Sequence, residues 1–192
     1  MKRIAFVTLL LAGCAVVKRS FVREDYDAED KHKVKRVLVL VEPLPEGKQK
    51  VGDAWARLAR RYVNQKRDFI AQADEARATA PTLGELCTGN LEGVIWLKPD
   101  AKAKGDGVEA SVDATLLRCR DGQEVWSAWA GGSFKSNDSL LVETAANYGR
   151  EYGEEVVPYI APAMNLLRPA LDTLPKPEIS TEEQDEKIAA DE

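Results

Sequence analysis

Apolar positions along the chain fall into blocks whose spacing switches between strand and helix. From Val34 to Val41 the run is β-branched and nearly continuously apolar, the pattern of a central strand buried on both faces. The Glu42–Gly47 stretch, with two prolines, ends it. Val51, Ala54, Trp55, Leu58, Ala59, Tyr62 and Val63 then recur at steps of three and four, which predicts one helical face between Val51 and Asp68. Arg57, Arg60, Arg61, Gln65 and Lys66 fall largely opposite, as a solvated face or as a basic stripe able to touch anionic lipid or a partner. Phe69–Ala73 predicts a short strand, Pro81–Cys87 one or two helical turns, and Gly93–Lys98 an apolar strand stopped by Pro99. A polar loop from Ala101 to Gly107 leads into a strict alternation: Val108, Ala110, Val112, Ala114 and Leu116 on one side, Glu109, Ser111, Asp113 and Thr115 on the other.

Asp121-Gly122 predicts a hairpin, because both residues tolerate positive φ, and the chain returns as a strand from Gln123 to Phe134. Asn137, Asp138 and Ser139 offer N-caps for a helix from Leu140 to about Val157, ended or kinked at Pro158. A second apolar helical stretch, Tyr159–Leu171, is interrupted by Pro162 and closed by Pro169. The sum is an α/β (α+β) fold: a single mixed sheet of about five strands with a C-terminal antiparallel meander and two main helices packed on it. No internal repeat is visible.

The flanks read differently. Residues 15–33 are charge-rich and lack sustained periodicity, which predicts a tether. The chain's one histidine, His32, falls there. From Asp172 to the end there are eight acids and two lysines, and this segment (172–192) reads as a disordered acidic tail. With a formal charge of −5 overall and a basic start, the middle of the chain is close to neutral. A nucleic-acid binder would normally show a basic patch, and no such excess of basic charge exists here.

The N-terminus adds an address. Lys2 and Arg3 precede a mostly apolar run from Ile4 to Leu11, followed by Leu11-Ala12-Gly13-Cys14. This predicts a secretory signal peptide over residues 1–13, too short to span a bilayer. The L-A-G-C ending resembles the lipobox of bacterial lipoproteins. The resemblance implies that Cys14 receives diacylglycerol through a thioether, that the signal is cut between Gly13 and Cys14, and that the new amine is acylated, as with palmitate. Several acyl chains together anchor a protein almost permanently. Ala15, in place of an aspartate, points to the outer membrane under the enterobacterial sorting pattern. Residues 14–33 then form a lipidated cysteine and spacer, and 34–171 a periplasmic α/β domain.

Few residues offer chemistry. Cys87 and Cys119 are either a disulfide, as suits a secreted chain, or two buried thiols. The spacing fits neither a CxxC redox pair nor a structural zinc site. With one histidine in the tether, Ser-His-Asp catalysis is close to excluded, and no S-x-x-K, HExxH, phosphate-loop or dinucleotide glycine motif occurs. No metal or cofactor is expected. Glu154 and Glu155 point apart on a helix, and Asp113 and Glu109 share a strand face that solvation explains. Gly131-Gly132 suits close backbone approach to a ligand, or a bulge. Trp126 and Trp129, three apart on a strand, must point to opposite faces. One belongs in the core; the other is a partner anchor if no helix covers the far face, and a second core aromatic if one does.

The L-A-G-C ending, V-K-R-V-L-V-L-V, G-V-I-W-L, the R-D-G-Q hairpin and W-S-A-W resemble an uncharacterised bacterial lipoprotein family of myxobacterial and leptospiral type. The element order is similar to the small periplasmic domain of the TolB amino-terminal region, CsgG and LpoB. The resemblance implies no catalytic residues. The functional expectation is a non-enzymatic envelope lipoprotein, held by lipid at the periplasmic face of the outer membrane and presenting a surface to an envelope protein partner. The alternatives are a carboxylate- or lysine-dependent envelope hydrolase and a small-ligand or lipid carrier.

Overall fold

A computed structural model describes residues 16–44, 48–77 and 82–191. The signal segment, the cleavage position at Gly13 and the acylation position at Cys14 lie outside these residues. In chain order the elements are β1 (Val17–Val22), α1 (Tyr26–Glu29), β2 (Arg36–Val41), α2 (Gln49–Lys66), β3 (Ile70–Ala76) and α3 (Leu83–Leu86). There follow β4 (Gly93–Lys104), β5 (Gly107–Arg118), β6 (Glu124–Lys135), α4 (Val142–Tyr152), α5 (Val157–Leu171) and α6 (Thr181–Asp191). The strands form one sheet in the order β1-β6-β5-β4-β2-β3. β4, β5 and β6 make the antiparallel meander, β2 runs parallel to both β4 and β3, and β1 pairs antiparallel with β6. The mixed α/β sheet is as read from the sequence, with a sixth strand added.

The alternation in β5 decides which face the helices take. Val108, Ala110, Val112, Ala114 and Leu116 are all buried. Facing them, α5 covers β5 and β6, and α2 covers β2 and β3. Several of the facing residues are alanines (Ala114, Ala128, Ala130, Ala163, Ala170), which lets helix and sheet approach closely. In β2, Val37, Val39 and Val41 enter this main core, while Leu38 and Leu40 join a small cluster on the other face with Leu86 and Val94. That second cluster explains why β2 reads as continuously apolar. α4 sits on α2 and α5 as an outer element.

Several expected boundaries move. β4 does not stop at Pro99 but pairs through it, Pro99 opposite Val112 with no register shift. Pairing of β2 with β4 ends at Leu97, so at Pro99 the strand has a neighbour on one side only and a missing N–H on the open side breaks no ladder bond. The seven-residue loop expected after Ala101 is a two-residue turn, Gly105 and Asp106, with Gly105 at φ +62°. The long helix breaks at Gly153 (φ +107°), not at Pro158. Pro158 sits in the first turn of α5, where no intrahelical N–H bond is lost, and α5 continues through Pro162 and Pro169.

Both flanks are structured where disorder was expected. Residues 17–33 are no free tether: β1 adds to the sheet, and Tyr26, Asp30 and Val34 are buried. His32 lies in the turn that follows α1. At the other end α6 docks against β3 and α2. Its Lys187 is buried, whereas Ile188 is 57% exposed, so it is not an apolar stripe that holds it.

Candidate interaction surface

Trp126 and Trp129 stand on opposite faces of β6. Trp126 is fully buried under α5, and its indole Nε1 donates to Thr173 Oγ1 at 3.0 Å. That hydroxyl in turn donates to the Ala170 carbonyl at 2.7 Å, so the acceptor that holds the ring is itself held. Trp126 is therefore a core residue and not a contact. Trp129 is half-buried on the far face and belongs to neither apolar cluster. The helix-covered alternative for its ring does not hold, because α5 packs on the opposite side of β6.

The strand register builds the surroundings of Trp129. Its neighbour in β1 is Arg19 and its neighbour in β5 is Asp113. Arg19 and Asp113, two strands apart, form an ion pair at 3.8 Å with Trp129 on the strand between them. Next along the same row lies Lys98, opposite Asp113, and Lys98 reaches Glu42 at 3.5 Å. Glu42 also accepts from Trp96 Nε1 at 3.0 Å, and the Lys98 ammonium stands 5.1 Å from the Trp96 ring centroid. The far face thus carries two indoles in a frame of alternating charges. Exposed pairs of this kind add little stability individually but fix side-chain positions as a network.

Beside Trp129 the surface dips. Gly131 and Gly132 pair regularly with Ser111 and Ala110, so the β5–β6 ladder has no bulge at these glycines; its irregularity falls between Leu116 and Leu117, and that of the β1–β6 ladder between Val17 and Arg19. A Cβ on Gly131 would stand 3.2 Å from the Ser111 Cβ, a tight approach that the neighbouring strand would have to yield to. The result is a cleft of about 440 Å³ lined by Trp129, Gly131, Ser111, Ser133, Asp100 and Glu109. An aromatic wall, a glycine floor and hydroxyl and carboxylate rims suit a polar or mixed partner surface.

The other singled-out groups serve the fold. Cys87 and Cys119 are bridged, Cα–Cα 5.4 Å, joining the segment after α3 to the β5–β6 hairpin. Beside the bridge, Arg118 is clamped by Asp30 (2.9 Å), Asp121 (2.6 Å) and Gln123 (2.8 Å). The Arg118 hydrogen bonds hold the Asp121 carboxyl down at about 2, and the Asp121 carboxylate in turn raises the arginine. Two cations of the basic stripe of α2 are spent internally: Arg57 and Arg60 both pair with Asp74 of β3, at 3.4 and 3.1 Å. Glu155 pairs with Lys50 at 2.7 Å and Glu109 with Lys104 at 2.9 Å. Among the described residues no group of three His, Cys, Asp or Glu side chains could hold a metal ion.

One cluster escaped the sequence reading. Glu183 of α6 meets Lys35 at 2.8 Å, Glu186 meets Arg36 at 2.7 Å, and Arg36 also reaches Glu92 at 3.2 Å. The Lys35 ammonium holds the Glu183 carboxyl below its usual range, and the Arg36 guanidinium does the same for Glu186. The overlooked signal is Ser180-Thr-Glu-Glu183, a capping box: the Glu183 carboxylate accepts from Ser180 N at 2.8 Å, and Ser180 Oγ accepts from Glu183 N at 3.3 Å.

No protein-family model matches the chain, and no curated protein sequence matches it. Among solved structures it is similar to the PelC dodecamer from Paraburkholderia phytofirmans, with 17% identity and a TM-score of 0.45 over 79% of this chain and 94% of that one. It is also similar to lipoprotein GNA1162 from Neisseria meningitidis, with 16% identity and a TM-score of 0.36 over 61% of this chain and 99% of that one. Both likenesses are distant ones.

Proposed function

We propose that this protein is an envelope lipoprotein: a non-enzymatic contact module, anchored through acylated Cys14 at the periplasmic face of the outer membrane. The observation that carries the reading is Leu11-Ala12-Gly13-Cys14 placed after a basic start and a short apolar run. It is the reading that the resemblance to uncharacterised bacterial lipoproteins, with their TolB-, CsgG- or LpoB-like domain, also implies. A disulfide between Cys87 and Cys119 suits an oxidising compartment. The far sheet face with Trp129 is the surface offered to an envelope protein, because an indole beside a cleft combines apolar area with a polar rim.

Mass spectrometry of protein recovered from a diderm bacterial host tests the anchor. The mature chain should begin at Cys14 and carry a diacylglycerol and an amide-linked acyl group, and Cys14→Ser should move it from the membrane to the soluble fraction. An unmodified chain retaining residues 1–13 would sink the reading.

A further inference from the structure

We propose that the folded domain rests directly on the lipid bilayer, with no spacer, and that Leu140 and Val142 dip into the headgroup region. The proposal rests on the acylation of Cys14 and adds to it a surface and an orientation. The length of chain ahead of the fold carries the first step. The Val16 carbonyl already accepts from Gly131 N at 2.9 Å, and β1 begins at Val17. Only Ala15 separates Val16 from Cys14. Consecutive Cα atoms are about 3.8 Å apart, so Cys14 stands within about 7.6 Å of the sheet, measured Cα to Cα. Acyl chains on Cys14 would therefore bring the domain into contact with the headgroups.

The direction follows from the pairing. β1 is antiparallel to β6, so the chain ahead of Val16 leaves toward the end at which β6 finishes. At that end Ser136 N donates to Asp106 O of the β4–β5 turn at 3.4 Å, and the chain enters a turn closed by Leu141 N and Asp138 O at 2.9 Å. On this turn and the first residue of α4 stand Leu140, 90% exposed, and Val142, 61% exposed. These are the two most exposed large apolar residues among those described. Phe21 and Val22 lie at the other end of β1, and Ile188 is on α6.

Two neighbouring apolar side chains held in water next to a lipid anchor fit the boundary between headgroups and acyl chains. Charge does not select the lipid. The exposed Lys18 and Lys135 are accompanied by exposed Asp106 and Glu143, so the contact is apolar and needs no anionic headgroup.

The test uses the acylated full-length protein in phosphatidylcholine vesicles. Leu140→Cys and Val142→Cys each carry an environment-sensitive fluorophore; both positions are exposed, and the remaining two cysteines are bridged. Glu124→Cys, at the first residue of β6 and roughly 35 Å from its last, is the control. The expected result is a blue shift at positions 140 and 142 with quenching by lipids nitroxide-labelled at the headgroup, and neither effect at 124. If all three labels behave alike while the protein floats with the vesicles, the docking proposal is overturned and the anchor stands. If Cys14→Ser floats as well as the native sequence, the anchor reading fails and the proposal with it. A blue shift at 140 that depends on protein concentration and not on lipid also overturns it, in favour of a second copy covering this patch.

Discussion

Asp30 and Arg118, 88 residues apart, meet in a buried ion pair with Nη1 and Oδ1 2.9 Å apart. Asp30 has no exposed surface, and its second oxygen also lies within reach of Arg118, at 3.2 Å. Arg120 adds a third contact to the same carboxylate at 3.1 Å. A desolvated carboxylate in this position ties the stretch between β1 and β2 to the β5–β6 hairpin. Removing Arg118 would leave it short of compensation.

Arg118→Met should therefore lower the unfolding free energy by about 3–5 kcal/mol, the usual cost of breaking a buried pair from one side. Asp30→Ala should cost less, because Asp121 and Gln123 still satisfy Arg118. Urea unfolding of the two variants checks the order. An Asp30→Ala variant as stable as the parent would mean that the Asp30–Arg118 pair adds no net stability.

The bridge between Cys87 and Cys119 closes a loop of 32 residues. The loop-entropy relation gives about 3–4 kcal/mol for a closure of that length. Reduction, or Cys87→Ser with Cys119→Ser, should lower the urea midpoint accordingly without changing the helix content measured by circular dichroism. A midpoint indifferent to reductant would refute the bridge.

The tryptophans should separate in a quenching experiment. Trp55 and Trp126 are buried and should resist acrylamide, whereas the half-buried Trp96 and Trp129 should be quenched. Trp126→Ala should cost about 3–5 kcal/mol, as large core truncations do. Trp129→Ala should leave the unfolding midpoint close to that of the parent and remove part of the quenchable fluorescence, the remainder coming from Trp96. If quenching is unchanged in that variant, the far face is covered.

Docking of α6 should depend on pH. Glu183 and Glu186 titrate below their usual range in the folded protein, through Lys35 and Arg36 respectively. A lowered folded value means that the contribution is complete above the ordinary glutamate range and is lost as pH falls through the lowered values. Amide exchange across Thr181–Asp191 should thus be protected at neutral pH and speed up in acid ahead of the β4–β6 meander. High salt should act in the same direction. Uniform protection down to the pH of global unfolding would show that something other than these pairs holds the helix.

The parts of the fold that could be read from the sequence are those whose burial is written in period. β2, α2 and β5 each bury a face, and the spacing of Val37, Val39 and Val41, of Trp55, Leu58 and Ala59, or of Val112, Ala114 and Leu116 announces it. The opposite placement of Trp126 and Trp129 follows from strand geometry alone. What escaped is held by other forces. β1 is an edge strand whose residues are mostly exposed, so its pairing leaves no apolar signature. α6 is docked through Glu183, Glu186 and Lys187, and its acidity reads as disorder until Lys35 and Arg36 are placed beside it. Pro162 and Pro169 mislead because a helix packed on a sheet tolerates losses that an isolated one would not.

The antiparallel register of β1 on β6 has a mechanical side. A tug on the chain ahead of Val16 acts along the axis of β1, while the ladder bonds to β6 run across it. The load is then shared by the whole ladder from Val17 to Val22 in shear, instead of opening one bond at a time as in peeling. A domain hung by that end gives way only when the strand slides as a unit.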